Sequence, residues 1–446
     1  MKSYSQKVLS CVKESPGIAE ILIGKKILGQ LPNVLKRNFS SKSVFILADQ
    51  NTWQVAGLKS FEHLSNRSFK VTYEILDSKP EPTVELAQTV MSKITFGNCI
   101  LLAIGSGVIN DLGRYIAFDL ELDYACIATA ASMDGYASAG SPLSINGFKK
   151  TINCKPAKVI LADLDLIASA PQEMVSAGYA DIAGKIPAGA DWILSDLLGI
   201  EPVDEVVWNL VHDGLQDWLP KAQLTNASNL NSLDELFARL TMIGLAMEKH
   251  GSSRPASGAD HQIAHIWEME GLKYNGQKVS HGHCVAIGCL IILKLYEWLC
   301  EQKLEKLQIK DITKSYPSMD DKKIKIKKCF GSTELMNKAV LESTQKHLEQ
   351  YELEKRLFHL VNKWREIRES LKLHLVSFSE MKTWLANVNA PSKPSEIGLS
   401  EIELKATVRK ALWIRSRYTI LDILFETGLL DDAIEQALSS PEIEYA

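Results

Sequence analysis

"CILLAIGSGVINDLGRYIAFDL" (residues 99–120) runs from an apolar stretch through a glycine turn into a helical pattern. Cys99 to Ile104 are apolar on both faces, as a strand is when helices cover a parallel sheet on either side. Gly105 and Gly107 break that run, and a helix begins at once. A glycine turn at such a junction lets the backbone approach a phosphate. The helix N-terminus adds unpaired N–H groups and the positive end of its dipole. The pattern is not G-x-G-x-x-G, and the same turn arises for steric reasons alone, so it speaks for the local topology more than for any ligand.

The flanking segments repeat the alternation. "SVFILAD" (43–49), "FKVTYEIL" (69–76), "YACIATA" (124–130) and "AKVILAD" (157–163) read as further strands, and "TVELAQTVMSKIT" (83–95) as a helix between two of them. After residue 170 the texture changes: Pro171 and Glu173 signal a helix start, and helical periodicity then runs to the end. The chain of 446 residues exceeds what one core organises. The expected architecture is an α/β, Rossmann-like nucleotide-binding domain over 1–170 and an all-α domain over 171–446.

Composition narrows the function classes. Apolar residues make up 46%, charged residues 23%, and the net charge is -4, a balance that carries no bulk attraction to nucleic acid or to an acidic membrane. Eight scattered cysteines without a C-x-x-C pair suit reduced thiols, and the N-terminus lacks a signal-peptide core, so a cytoplasmic protein is expected. The apolar run 284–300 contains Lys294 and Glu297 and reads as a buried helix, not a membrane span. "DDKKIKIKK" (320–328) reads as a solvated basic face and "NAPSKPSEIG" (389–398) as a surface loop.

Two groups of residues can carry chemistry. In "ATAASMDGYASAGSPL" (128–143), Thr129, Ser132 and Ser138 offer hydrogen bonds to a nucleotide and Asp134 can face a substrate hydroxyl, although an ordinary polar loop has the same composition. More telling is the joint occurrence of Asp181 in "GYADIAGK", His261 and His265 in "GADHQIAH" and His281 in "VSHGHCVAIG". Residues four apart share a helix face, so His261 and His265 stand one above the other, as do Asp181 and Lys185. An Asp-His-His set gives three metal ligands and leaves a position open, as catalytic sites do. His283 points to another side of its helix than His281, and Asp260 points off the face of His261 and His265.

These segments in this order resemble the sn-glycerol-1-phosphate dehydrogenases, relatives of iron-type alcohol dehydrogenases, glycerol dehydrogenase and 3-dehydroquinate synthase. The matching stretches are "GSGVIND" (105–111), "TAASMDGYAS" (129–138), "GYADIAGK" (178–185), "RPASGADHQIAHIWEM" (254–269), "HGHCVAIG" (281–288) and, as in the longer bacterial-type members, "RSRYTILDIL" (415–424). The resemblance implies contacts to NAD, with NADP as the alternative, from Asp49, Gly107, Val108, Ile109, Asn110, Asp111, Thr129, Ala130, Ala131, Ser132 and Ser138. It implies one divalent metal, nickel or zinc, on Asp181, His261 and His281. Asp134, Asp181 and His265 would meet a small phosphorylated triose, Asp181 and His265 as catalytic residues, in a homodimer. The implied reaction is the reduction of dihydroxyacetone phosphate to sn-glycerol 1-phosphate.

Ala131 and Ala139 replace common prolines and Gly-Ser-Gly replaces three glycines, but no implied ligand is lost. Arg254, Lys149, Lys150 and Lys185 are the candidates for the substrate phosphate. Asp49, ending its strand, disfavours a 2'-phosphate and so favours NAD. Alternatives on the same scaffold are a glycerol dehydrogenase, a dehydroquinate-synthase-like cyclase and a non-catalytic homologue.

Overall fold

The strands pair as the alternation predicts. A computed structural model describes residues 4–13, 15–145, 148–224 and 229–446, and the side chains of all of these but 4–6 and 148. Eight strands lie in its first part: β1 (Glu20–Gly24), β2 (Ser43–Asp49), β3 (Lys70–Leu76), β4 (Ile100–Gly105), β5 (Asp123–Ala128), β6 (Gly140–Ile145), β7 (Phe148–Asn153) and β8 (Val159–Asp163). Six form one parallel sheet in the order β1-β8-β5-β4-β2-β3, while β6 and β7 make an antiparallel hairpin. β1 and the hairpin went unread in the sequence, the hairpin because Pro142 stands inside β6.

Every residue of β4 is buried, which is why its sequence carries no alternation. On one face Val44, Ile46, Ile100, Leu102, Ile104, Ala125, Ile127, Val159 and Leu161 share a core with Leu31, Val34 and Leu35 of a covering helix. The order of strands also places a crevice. From β3 the chain crosses back over β2 to begin β4, so the connections leave β2 and β4 in opposite directions and open a gap at their C-terminal ends. Ala48 pairs with Ile104 there, setting Asp49 beside the end of β4.

The chain divides into two compact units, Met1–Ile182 with Asn209–Ser253, and Ala183–Trp208 with Arg254–Ala446. The change of pattern at residue 170 therefore differs from the physical division, because part of the helical sequence belongs to the first unit. The helices that matter below are α1 (Gly107–Asp119), α2 (Gln172–Ala183), α3 (Lys185–Leu197), α4 (Leu230–His250), α5 (Ala259–Met269) and α6 (His281–Glu301). α4 packs on the helix Tyr4–Val12, on the turn Gly135–Ala137, on Leu164–Ala168 and on β1, which ties it to the sheet.

In the second unit α5 packs on α6 and on Glu401–Ala411, and α3 on the helix Gln350–His374. Apart from the minimal hairpin of Lys273–Tyr274 and Gln277–Lys278, the described residues of this unit hold no strand. α6 is long and apolar enough to cross a membrane by length and composition. It is instead a core helix whose residues 284–293 are all buried.

Two local expectations need correction. Within 320–328, Lys322 is only 3% exposed and donates to Tyr316 Oη (2.6 Å) and His347 Nδ1 (2.9 Å). Burial pushes its pKa down to about 8. Ile326 is buried as well, and the other residues of the run are exposed. The 389–398 stretch is not a surface loop throughout: Ala390, Pro394 and Ile397 are buried, and Glu444 pairs with Lys393 while its carbonyl accepts the Ser395 N–H. The chain's last residues cover it.

His374 gives a test of this packing. Its Nε2–H donates to the Ile186 carbonyl (2.9 Å), and burial lowers its pKa from 6.5 to about 4. The folded ring stays neutral where the unfolded chain takes up a proton. Its contribution to stability is therefore complete above pH 6.5 and is lost as pH falls towards 4. Urea midpoints should drop across that interval, and His374→Gln should flatten the drop; an unchanged slope would place the ring in water.

Candidate metal and nucleotide site

Three histidines converge in the second unit because two helix starts are fixed by capping. Asp191, in α3, accepts the Ala259 N–H at 2.7 Å and so holds the first turn of α5, while Ser280 caps α6 through the His283 N–H at 3.3 Å. His261 and His265 then lie one turn apart on α5, with ring centroids 6.3 Å apart. His281, first in α6, stands 5.5 Å from His261 and 5.6 Å from His265, stacked on the latter.

Each ring is oriented by a carboxylate. Asp260 Oδ2 accepts from His261 Nδ1 (2.7 Å), Glu268 Oε2 from His265 Nδ1 (2.8 Å) and Glu268 Oε1 from His281 Nδ1 (3.1 Å). An ionised carboxylate can only accept, so each Nδ1 carries a proton, and in the neutral ring Nε2 is then the lone pair that a metal or substrate can meet. Lys185 Nζ, fully buried, lies 3.5 Å from that atom of His261.

Asp181 is fully buried near the end of α2, and its Oδ2 accepts the Asp134 N–H at 3.0 Å. Within the second unit, ligand-capable atoms of His265, Glu268 and His281 lie within 4.8 Å of one another. Ligands at 2.0–2.2 Å from a single ion sit roughly 3–4 Å apart. One carboxylate with two imidazoles, the set expected from Asp181, His261 and His281, has the chemistry of a transition-metal site. His283 joins neither set among the described residues.

The glycine turn and the loop after β5 form a second structure, in the first unit. A Cβ on Gly105 would lie 2.4 Å from Ile109, which explains the glycine sterically. Ser106 and Ser132 hydrogen-bond through their hydroxyls, joining turn to loop. The fully buried Arg114 donates to the carbonyls of Gly135 and Gly140 and to Asp111, and Tyr136 Oη donates to the Ala130 carbonyl (2.9 Å). Asn110 Oδ1 accepts from Tyr124 Oη (2.7 Å), and Ser138 Oγ donates to the Gly135 carbonyl (3.1 Å).

Of the residues expected at a nucleotide, Gly107, Val108 and Ser132 are partly exposed. Ile109, Asn110, Asp111, Thr129, Ala130, Ala131 and Ser138 are buried, several of them holding the loop in shape. Asp49, at the end of β2, caps the next turn by accepting the Thr52 N–H (2.8 Å). Arg254 is spent on Glu201, the Asp191 carbonyl and the Tyr418 carbonyl.

The sequence reading missed Arg114, Tyr136, Gly178 and the roles of Asp260 and Glu268. Glu268 had a signal, since it lies three residues after His265 on the same helix face. Gly178 had none: a glycine inside a helix names no neighbour.

A nucleotide-type parallel sheet with a glycine turn at its switch point, joined to a helical unit that clusters histidines, defines the class of iron-containing alcohol dehydrogenases. The model of that family, described as iron-containing alcohol dehydrogenase, matches residues 22–171. The glycerol-1-phosphate dehydrogenase [NAD(P)+] of Halalkalibacterium halodurans is 32% identical over 293 residues, 65% of this chain and 73% of the relative. That of Geobacillus stearothermophilus is 27% identical over 414 residues, 92% and 93% of the two chains. The crystal structure of glycerol dehydrogenase from Schizosaccharomyces pombe shares the fold, with a TM-score of 0.59 at 15% identity over 95% of this chain and 91% of that one. The chain belongs to the glycerol-1-phosphate dehydrogenase family within that class and is an oxidoreductase.

Gly178 tests the loop. A Cβ there would lie 1.9 Å from the Ala131 carbonyl oxygen, a backbone atom that has nowhere to go. Gly178→Ala should cost about 1–3 kcal/mol in urea unfolding and weaken NADH binding, measured by fluorescence titration. Unchanged values in both would show that α2 does not set the loop.

Proposed function

We propose that the protein catalyses the reversible NAD(P)H-linked reduction of dihydroxyacetone phosphate to sn-glycerol 1-phosphate, with one divalent ion, nickel or zinc, on Asp181, His261 and His281. The clustering of the His261, His265 and His281 rings in the second unit carries the reading, and the activity for which the relatives are named supplies the substrate. When bound, the ion supplies Lewis-acid polarisation of the C2 carbonyl and the reduced nicotinamide supplies the hydride. The remaining work falls to the chain itself.

Asp260 and Glu268 hold the ligand rings in the tautomer that leaves Nε2 free. His265, oriented the same way, holds the proton that the C2 oxygen gains as the hydride arrives, and takes it back in the reverse direction. Asp134, whose backbone N–H donates to Asp181, receives a substrate hydroxyl on its carboxylate. The glycine turn and the partly exposed Ser132 receive the dinucleotide. Asp49 at the end of β2 favours NAD over NADP by repelling a 2'-phosphate. Arg254 meets Glu201 and the Asp191 carbonyl, and Lys185, Lys149 and Lys150 are the other candidates for the substrate phosphate. The protein works in the cytoplasm as a homodimer.

Metal analysis and an NADH assay decide the matter. Purified protein should hold about one nickel or zinc per chain, lose activity on chelation and regain it on adding either ion back. His261→Ala should lose the ion and at least about 100-fold in turnover while keeping its melting temperature. Reduction of dihydroxyacetone but not of its phosphate would replace this reading by a glycerol dehydrogenase.

A further inference from the structure

Glu268 lies outside the proposed ligand set, yet it holds two of the histidines at once. Its Oε2 accepts from His265 Nδ1 at 2.8 Å and its Oε1 from His281 Nδ1 at 3.1 Å. The two rings are stacked at 21° with centroids 5.6 Å apart, so the carboxylate bridges the edges of a pair. The side chain is largely shielded, with 12% of its surface exposed. Asp260 does the comparable task for His261 alone. Glu268 joins a proposed metal ligand to the proposed proton carrier.

We propose that Glu268 is a positioning residue shared by His281 and His265, which couples the grip on the ion to proton transfer at the substrate. This rests on the metal and proton roles assigned above. An ionised carboxylate offers acceptors only, so it forces both rings into the Nδ1–H tautomer and turns both Nε2 lone pairs outward. The hydrogen bond to His281 raises the basicity of a ligand nitrogen. The one to His265 stabilises the imidazolium that forms when that ring holds the proton, as the acid of a hydrolase triad does for its histidine. One negative charge serves both ends.

An amide cannot do so. Glu268→Gln has one acceptor oxygen and one donor group, so it satisfies one ring and faces the other with N–H. The ill-matched ring must move its proton to Nε2 and withdraw its lone pair from the ion or the substrate. Both functions therefore cannot survive the change.

The test measures zinc affinity by chelator competition, without reference to activity, and kcat and KM for dihydroxyacetone phosphate at saturating zinc. The variants are Glu268→Gln, His265→Asn and the two combined. The single amide should weaken zinc binding roughly 10- to 100-fold, or lower kcat more than tenfold with KM little changed, or both. In the His265→Asn background the same amide should no longer change kcat, while its effect on zinc affinity persists. Glu268→Asp, one methylene shorter, reaches one ring at most and should reproduce this division if the amide fails to fold.

Wild-type zinc affinity and kcat in Glu268→Gln would overturn the proposal, as would an equal loss of kcat with and without His265. Complete loss of zinc, as in His261→Ala, would make Glu268 a ligand and also overturn it. A wild-type protein that binds no ion and turns over no substrate would fail at the reading beneath, and this inference would fall with it.

Discussion

Asp191 is the constraint on which the helical unit depends. Its carboxylate is fully buried in α3, where Oδ2 accepts the Ala259 N–H (2.7 Å) and Oδ1 accepts Tyr296 Oη (2.6 Å) and the Ile420 N–H (2.8 Å). Burial raises its pKa to about 7, and the three donors pull in the other direction. Ala259 opens the helix of His261 and His265, and Tyr296 stands on the helix that His281 begins. One carboxylate therefore sets the relative placement of the two helices that carry all three rings. Each donor left without it in the interior would cost about 1–3 kcal/mol, so the histidine geometry is as firm as this junction.

The parts of this architecture legible in the sequence were those that a local pattern announces. Runs apolar on both faces gave the parallel strands, and the glycines after β4 gave the turn. The spacing of His261 and His265 gave a shared helix face. What stayed hidden depends on pairing across distance. Arg114 reads as a surface helix residue until the carbonyls of Gly135 and Gly140 are found around it. Lys322 looks like one lysine in a solvated run until Tyr316 and His347 close over it. The division of the chain was hidden for the same reason. Residues 209–253 have helical periodicity, but α4 is tied to the sheet by what it touches, and periodicity carries no partner.

The candidate site shows the same split. Asp181, His261, His265 and His281 stand out by residue type and order, the resemblance names three of them as ligands, and the three rings cluster within the second unit. The acids that orient the rings were not proposed, because a hydrogen bond to Nδ1 leaves no mark in composition. Asp260 lies off the helix face that His261 and His265 share. It reaches His261 from the adjacent position, holding the ring from behind.

α5 carries the cost of this arrangement. Within its eleven residues it buries or half-buries Asp260, His261, Gln262, His265 and Glu268 against the apolar α6. Polar groups are tolerated in such a place only when paired. Asp191 satisfies the helix start and the acids satisfy the rings, so most of the burden is offset internally. Gln262 is the exception: it is 2% exposed, and neither of its amide atoms has a hydrogen-bond partner. A buried amide left unpaired costs about 1–3 kcal/mol. An amide kept unpaired one residue from His261 and three from His265 is the kind of local conflict that folds carry where chemistry, not packing, decides the residue. It sits on the helix that the histidines had already singled out.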